Sequence, residues 1–253
     1  MNKNNNDQNT ITGHLTELRS RLIKSLIFIF IIFIFGYVFA EYIYSFLLEP
    51  YAKAVKNDGI ERRLIFTALH ETFITYLKLA FFVALLLGSP IFLTQLWKFI
   101  APGLYKNEKK ALLPYLIATP ILFLLGGMLV YYLVMPLAIK FFLTFETTGQ
   151  INNLPIQLEA KVNEYLSLIM RLIFAFGLSF QLPVLLNLLA RVGAIDSKYL
   201  KERRRYFIVI IFAAAAILTP PDPITQIGLA IPLLILYELS ILSVKLTEKK
   251  NNA

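Results

Sequence analysis

The 253-residue chain has no cysteine, one tryptophan and two histidines, and only 16% of its residues are charged. Without cysteine it has no disulfide scaffold, no thiolate metal site and no cysteine nucleophile. His14 and His70 stand too far apart in the sequence to suggest a metal centre. No Walker motif, dinucleotide fingerprint, metal-ligand cluster or Ser/His/Asp set is present, so neither catalysis nor a cofactor is expected. Soluble domains carry about 25% charged and about 45–50% apolar residues. Here 57% are hydrophobic and the mean hydropathy is +0.65. The net charge of +9 falls in short clusters between long apolar runs, whereas a nucleic-acid binder would stripe its charge along a soluble face. The class that remains is a polytopic membrane protein.

The expected fold is all-α, a single membrane domain over residues 1–253 with spans near 22–40, 72–98, 112–135, 162–190, 206–218 and 227–244. A spanning helix needs about 20 apolar residues, and the first four runs supply that length. Val38-Phe39-Ala40 lacks a small-x-small pattern, so the first run does not resemble a cleaved signal peptide. The fifth and sixth helices are expected to be short. Thr219-Pro220-Pro221-Asp222-Pro223 stops the fifth, because proline cannot continue a helix. A turn joining two such helices would lie below the outer membrane surface and thin the bilayer locally. The polar ends, 1–9 and 249–253, are expected to be disordered.

Orientation follows from the basic residues. With both termini in the cytoplasm, inner segments hold 17 Lys and Arg and outer segments six, which fits the positive-inside rule. On the outer side, Tyr42, Tyr44, Phe46 and Tyr51 surround Pro50, the pattern of an interfacial helix broken by proline. No inverted or parallel repeat of the kind that builds many secondary transporters is visible.

Several polar positions carry a specific and an ordinary reading. Leu15, Leu18 and Leu22 give the N-terminal segment an amphipathic face feeding the first span. Glu17 there would ordinarily pair with Arg21 one turn on. Glu108 is the sole carboxylate between Phe99 and Lys110, and alone fits a solvated basic loop. Taken together on one membrane face, the two carboxylates would suit a cation with planar, bidentate donors, which arginine offers and lysine does not. Within the runs, Gln95 and Glu238 fit helix-helix glue, and Lys78 fits a snorkelling cation. Gln181, beside Pro183, is open to packing or function. Asp222 suits turn chemistry, although an acid held in a rigid turn at reduced depth is unusual.

His14-Leu15-Thr16-Glu17-Leu18-Arg19 resembles the opening motif of the TatC family, the multispanning core of the twin-arginine protein translocase. Phe99-x-x-Pro102-x-Leu104-Tyr105-x-x-Glu108 is similar to that family's first cytoplasmic loop. Phe176-Gly177-x-x-Phe180-x-x-Pro183 resembles its fourth span, and Thr219-Pro220-Pro221-Asp222 with Gln226 its last outer turn. The order and spacing match over about residues 12–245.

The resemblance implies a receptor for signal peptides bearing consecutive arginines, in a bacterial inner membrane or an organelle membrane of bacterial ancestry. It implies transport of folded proteins driven by proton-motive force, with no nucleotide hydrolysis. The implied partners are the single-span TatB and TatA subunits, in a hetero-oligomer of several copies, together with membrane lipid and no nucleic acid. By position in the motifs, Glu17 and Glu108 would grip the arginine pair, with Leu18, Arg19, Phe99, Pro102, Leu104 and Tyr105 shaping the site. Pro50, Gln181, Asp222 and Gln226 would be structural or partner-docking positions. Many family members carry glutamate where this chain has Gln181, which argues against proton coupling at that position. Arg171 has no family counterpart. The competing class is a small-molecule secondary transporter, which would need a midplane solute pocket around Gln181 and Arg171.

Overall fold

The structure, a computed structural model, describes residues 4–56, 63–100, 109–147, 156–191, 193–219 and 222–251. The side chains of 4–15, 17, 18, 96–100, 109–113, 247 and 249–251 fall outside that description. Apolar runs dominate the sequence, and helix satisfies every backbone group within its own segment, so the chain is helical almost throughout. The helices are α1 (Asn4–Val38), α2 (Ala40–Val55), α3 (Glu71–Ile100), α4 (Lys109–Leu129), α5 (Met135–Leu143), α6 (Val162–Ser179), α7 (Leu182–Arg191), α8 (Ser197–Glu202), α9 (Arg204–Leu218) and α10 (Pro223–Asn251). Strand structure among the described residues amounts to two isolated bridges, Ile65 with Lys161 and Thr147 with Ile156.

Five stretches are long and apolar enough to cross a membrane: Arg19–Val38, Glu71–Gln95, Pro114–Leu143, Val162–Arg191 and Pro223–Leu246. These correspond to five of the six expected spans. The fifth expected span is α9, whose 15 residues stop at Leu218 before an extended Thr219. The sixth is not short, contrary to expectation: its apolar part runs from Pro223 to Leu246. Pro223 opens the helix rather than preceding it, because a first-turn residue needs no N–H donor. Helix also covers Asn4 onward and continues to Asn251, within stretches expected to lack structure.

The third span is longer than the expected 112–135, and the reason is a π-helical turn at Val130–Val134. Pro136 would end a regular helix by removing an N–H and crowding the preceding turn. The wider turn absorbs that defect, and α5 carries the span on to Leu143. In the fourth span, Pro183 has the opposite effect and splits the helix at Phe180-Gln181. There the Gln181 N–H turns back to the Leu178 carbonyl at 3.0 Å, a tighter three-residue bond.

By its contacts the chain forms two units, Met1–Ile43 with Tyr76–Pro120, and Tyr44–Thr75 with Ile121–Ala253. In the first, α1 and α3 pack closely. Gly36 stands against the Ala80 backbone, where an added Cβ would lie 3.1 Å from the carbonyl oxygen, and Ile29 covers Gly88. Further along, Arg21 bonds to Gln95.

In the second unit, α10 packs against α7, α8 and α9 and reaches α5 and the π turn. Tyr237, 1% exposed, stacks on Phe207 at 4.6 Å between ring centres and donates its hydroxyl to the Leu200 carbonyl at 2.7 Å. α4 and α6 cross at Gly126, where an added Cβ would meet the Phe176 carbonyl oxygen at 2.7 Å. Phe123 and Phe176, both at 0% exposure, fill the core beside that crossing.

Candidate functional site

The residues expected to grip an arginine pair lie on the first unit. Glu17, Leu18 and Arg19 are on α1, Phe99 is in the last turn of α3, and Arg19 is solvent-exposed. The side chains of Glu17, Leu18 and Phe99 lie outside the described residues, as do Pro102, Leu104, Tyr105 and Glu108 altogether.

Beside that set, a side-chain hydrogen bond joins the two helices. Arg21 Nη1 donates to Gln95 Oε1 at 3.1 Å, and the Ser25 hydroxyl donates to the Arg21 carbonyl at 3.0 Å. Gln95 thus has the helix-to-helix role expected of it. Glu238 does too, accepting from Arg204 at 2.6 Å.

The other four expected positions lie in the second unit. Pro50 is buried inside α2, which continues through it; the expected break does not occur. The physical reason is a pair of tyrosines. Proline at 50 has no N–H for the carbonyl of Phe46, four residues earlier. The Tyr131 hydroxyl donates to that carbonyl at 2.8 Å, and lies 3.0 Å from Glu49 Oε2. One residue on, the Leu47 carbonyl accepts from the Tyr165 hydroxyl at 3.0 Å. The Phe46 and Tyr131 rings stack at 4.5 Å with planes 6° apart, and Tyr165 meets Tyr51 edge-on at 5.4 Å. Glu49 is also ion-paired to Lys53 at 2.6 Å. Hydrogen bonds from Lys53, then from Tyr131, hold its carboxyl below the usual carboxylate range.

Gln181 is 7% exposed at the break between α6 and α7. The following turns are tied down by Asn187, which donates from Nδ2 to the Pro183 carbonyl and accepts at Oδ1 from the Ser243 hydroxyl, both at 2.8 Å. Asp222 caps α10. Its Oδ1 accepts the Thr225 N–H at 2.7 Å and its Oδ2 accepts the Thr225 hydroxyl. Asp222 and Thr225 are 6% and 0% exposed, so this is a buried cap with an anion at the positive end of a long helix dipole. Gln226, half-buried, follows in the same turn and donates its N–H to the Asp222 carbonyl at 3.3 Å.

Sequence reasoning missed Tyr131, Tyr165 and Asn187. The signal was present: a buried tyrosine hydroxyl in an apolar run needs an acceptor, and a helical proline leaves one. Glu71 was missed as well. It is 8% exposed and accepts N–H groups from Thr67 at 2.7 Å and Ala68 at 3.2 Å, fixing the entry to α3.

The family model described as Sec-independent protein translocase protein (TatC) matches residues 13–232. The Sec-independent protein translocase protein TatC of Magnetococcus marinus is 46% identical over 240 residues, covering 95% of this chain and 85% of the relative. Its counterpart from Rickettsia prowazekii is 46% identical over 229 residues, covering 90% of each. A crystal structure of the twin arginine translocase receptor TatC in DDM superposes with a TM-score of 0.76 at 38% identity, covering 91% of this chain and 99% of that one.

Proposed function

The chain belongs to the TatC family, and on that premise we propose that it is the receptor and core subunit of the twin-arginine translocase, binding twin-arginine signal peptides at its cytoplasmic face. Its apolar helices and bacterial relatives make it a multi-pass inner-membrane protein. The observation that carries the receptor reading is the family match over 13–232, which takes in both acidic segments, Glu17 and Glu108.

In this reading the two carboxylates, from separate segments, hold a pair of guanidinium groups. Each guanidinium offers a planar fork that matches a carboxylate with two parallel hydrogen bonds. Lysine keeps the charge and loses the fork, so the site separates the two by geometry. The surrounding bases repel an incoming cation, and recognition is therefore local. Leu18, Arg19, Phe99, Pro102, Leu104 and Tyr105 shape the site around the carboxylates. Single-span TatB and TatA subunits are the proposed partners, and proton-motive force the proposed energy source. Apolar side chains that α9 leaves exposed, among them Val209 at 67% and Ile217 at 84%, offer helices of that kind a surface. Pro50, Asp222 and Gln226 support the outer side.

The test is binding of the detergent-solubilised protein to a signal peptide carrying Arg-Arg, against the same peptide carrying Lys-Lys. Glu17→Ala and Glu108→Ala are each expected to weaken Arg-Arg binding about ten- to a hundredfold, the range of a lost charge-assisted hydrogen bond. Undiminished binding in both variants would refute the assignment of the site. Equal affinity of the unmodified protein, with the single-span subunits added, for both peptides would refute the receptor reading.

A further inference from the structure

We propose that the Arg21–Gln95 hydrogen bond is a positioning clamp for recognition of the arginine pair, holding the turn of α1 that carries Glu17 level with the end of α3 that carries Phe99. The inference rests on the receptor reading and deepens it by adding two residues that touch no part of the peptide.

The register of α1 and α3 supports it. Among the described residues, three of the contacts between them are Gly36 with Ala80, Ile29 with Gly88, and Arg21 with Gln95. Each advance along α1 is matched by a nearly equal retreat along α3, so the helices run antiparallel without slipping register. Continuing that register for one turn, four residues and about 6 Å, reaches Glu17 on α1 and Phe99 on α3 together. Glu17 and the loop that follows Phe99 therefore spring from the same level.

Of the three contacts, two are apolar approaches at glycine, which set separation but tolerate rotation. The third is directional and stands nearest Glu17. Gly36 is more than four turns further along α1, about 22 Å away, and cannot hold that end. The partner's chemistry also matters. Glutamine is a neutral acceptor, so it holds a guanidinium without adding another carboxylate to compete for the incoming arginines.

The experiment uses the whole chain, and the lack of native cysteine makes site-specific labelling clean. Nitroxides at Ser20→Cys and Lys98→Cys report the α1–α3 distance distribution by electron-electron resonance. Arg-Arg and Lys-Lys peptide affinities are measured alongside, in unmodified protein, Gln95→Leu, Arg21→Leu, the double variant and Gln95→Glu. Gln95→Leu and Arg21→Leu are each expected to broaden the distribution and lower Arg-Arg affinity about three- to tenfold, with the Lys-Lys affinity moving less. The double variant should lose no more than the worse single one, because both remove one interaction. Gln95→Glu, which keeps an acceptor, should keep the narrow distribution. The clamp is overturned if Gln95→Leu and Arg21→Leu leave Arg-Arg affinity unchanged, with or without broadening, or if their losses multiply. An unmodified protein with no Arg-Arg preference, even with the single-span subunits added, would instead defeat the receptor reading itself.

Discussion

The Tyr131 hydroxyl lies 2.8 Å from the Phe46 carbonyl, the group that Pro50 leaves without an intrahelical donor. A proline in one helix and a tyrosine in another span thus solve one backbone problem between them. Tyr131 sits within the π-helical turn, so the irregular turn and the helical proline belong to one arrangement.

Removing the hydroxyl should show this coupling. Tyr131→Phe is expected to cost about 0.5–1.5 kcal/mol, the net worth of one hydrogen bond at a part-buried acceptor. In a Pro50→Ala background the alanine N–H can serve Phe46, and the same substitution should cost less. Thermal unfolding of the four proteins in detergent measures the difference, and equal costs in both backgrounds would refute the pairing.

The cap on α10 makes a second prediction. Asp222→Ala removes the acceptor for the Thr225 N–H and hydroxyl and should destabilise by about 0.5–2 kcal/mol. Asp222→Asn keeps an acceptor and should recover much of that. Amide exchange at Thr225 reads the effect locally: it should quicken in the alanine variant and stay slow in the asparagine variant.

Close packing gives a third. Gly126→Ala would put a Cβ 2.7 Å from the Phe176 carbonyl oxygen, and backbone cannot rotate out of the way as a side chain can. A loss of about 1–3 kcal/mol follows from overpacking of this kind. Gly228→Ala is the control, since its nearest neighbour would be a Val134 methyl at 3.4 Å. Melting temperatures should fall for the first variant and barely move for the second.

Glu49 supplies a dependence on pH. Its folded-state pKa is lowered, first by Lys53 and then by Tyr131, so its contribution is present above the ordinary carboxylate range. That contribution disappears as pH falls through the depressed folded value. Glu49→Gln should therefore flatten part of the acid limb in a plot of melting temperature against pH. Superimposable curves for the two proteins would show that the carboxylate contributes nothing.

Much of this fold was legible because apolar run length is a one-dimensional property. Five of the expected spans appear near their expected places, and the stop at Leu218 follows from proline alone. What was not legible depends on distant residues. Pro50 and Pro183 are the same residue type in comparable apolar settings, yet only the second interrupts its helix. The difference at Pro50 lies in Tyr131 and Tyr165, more than 80 positions away, which no local pattern reports. Likewise Asp222 was readable as turn chemistry, whereas its burial with Thr225 required the packed neighbours of α10. For Glu17 and Glu108 the sequence motifs carry the assignment, and Arg21–Gln95 supplies the nearest described geometry.

The 15 residues of α9 have a consequence for permeability. Taken as the fifth crossing, α9 spans about 22 Å where a hydrocarbon core measures about 30 Å. Arginines 203, 204 and 205 stand at one end and the buried acid Asp222 follows the other. A bilayer matched to a crossing of that length would have to thin beside it, which would lower the dielectric barrier that a moving charge must climb there.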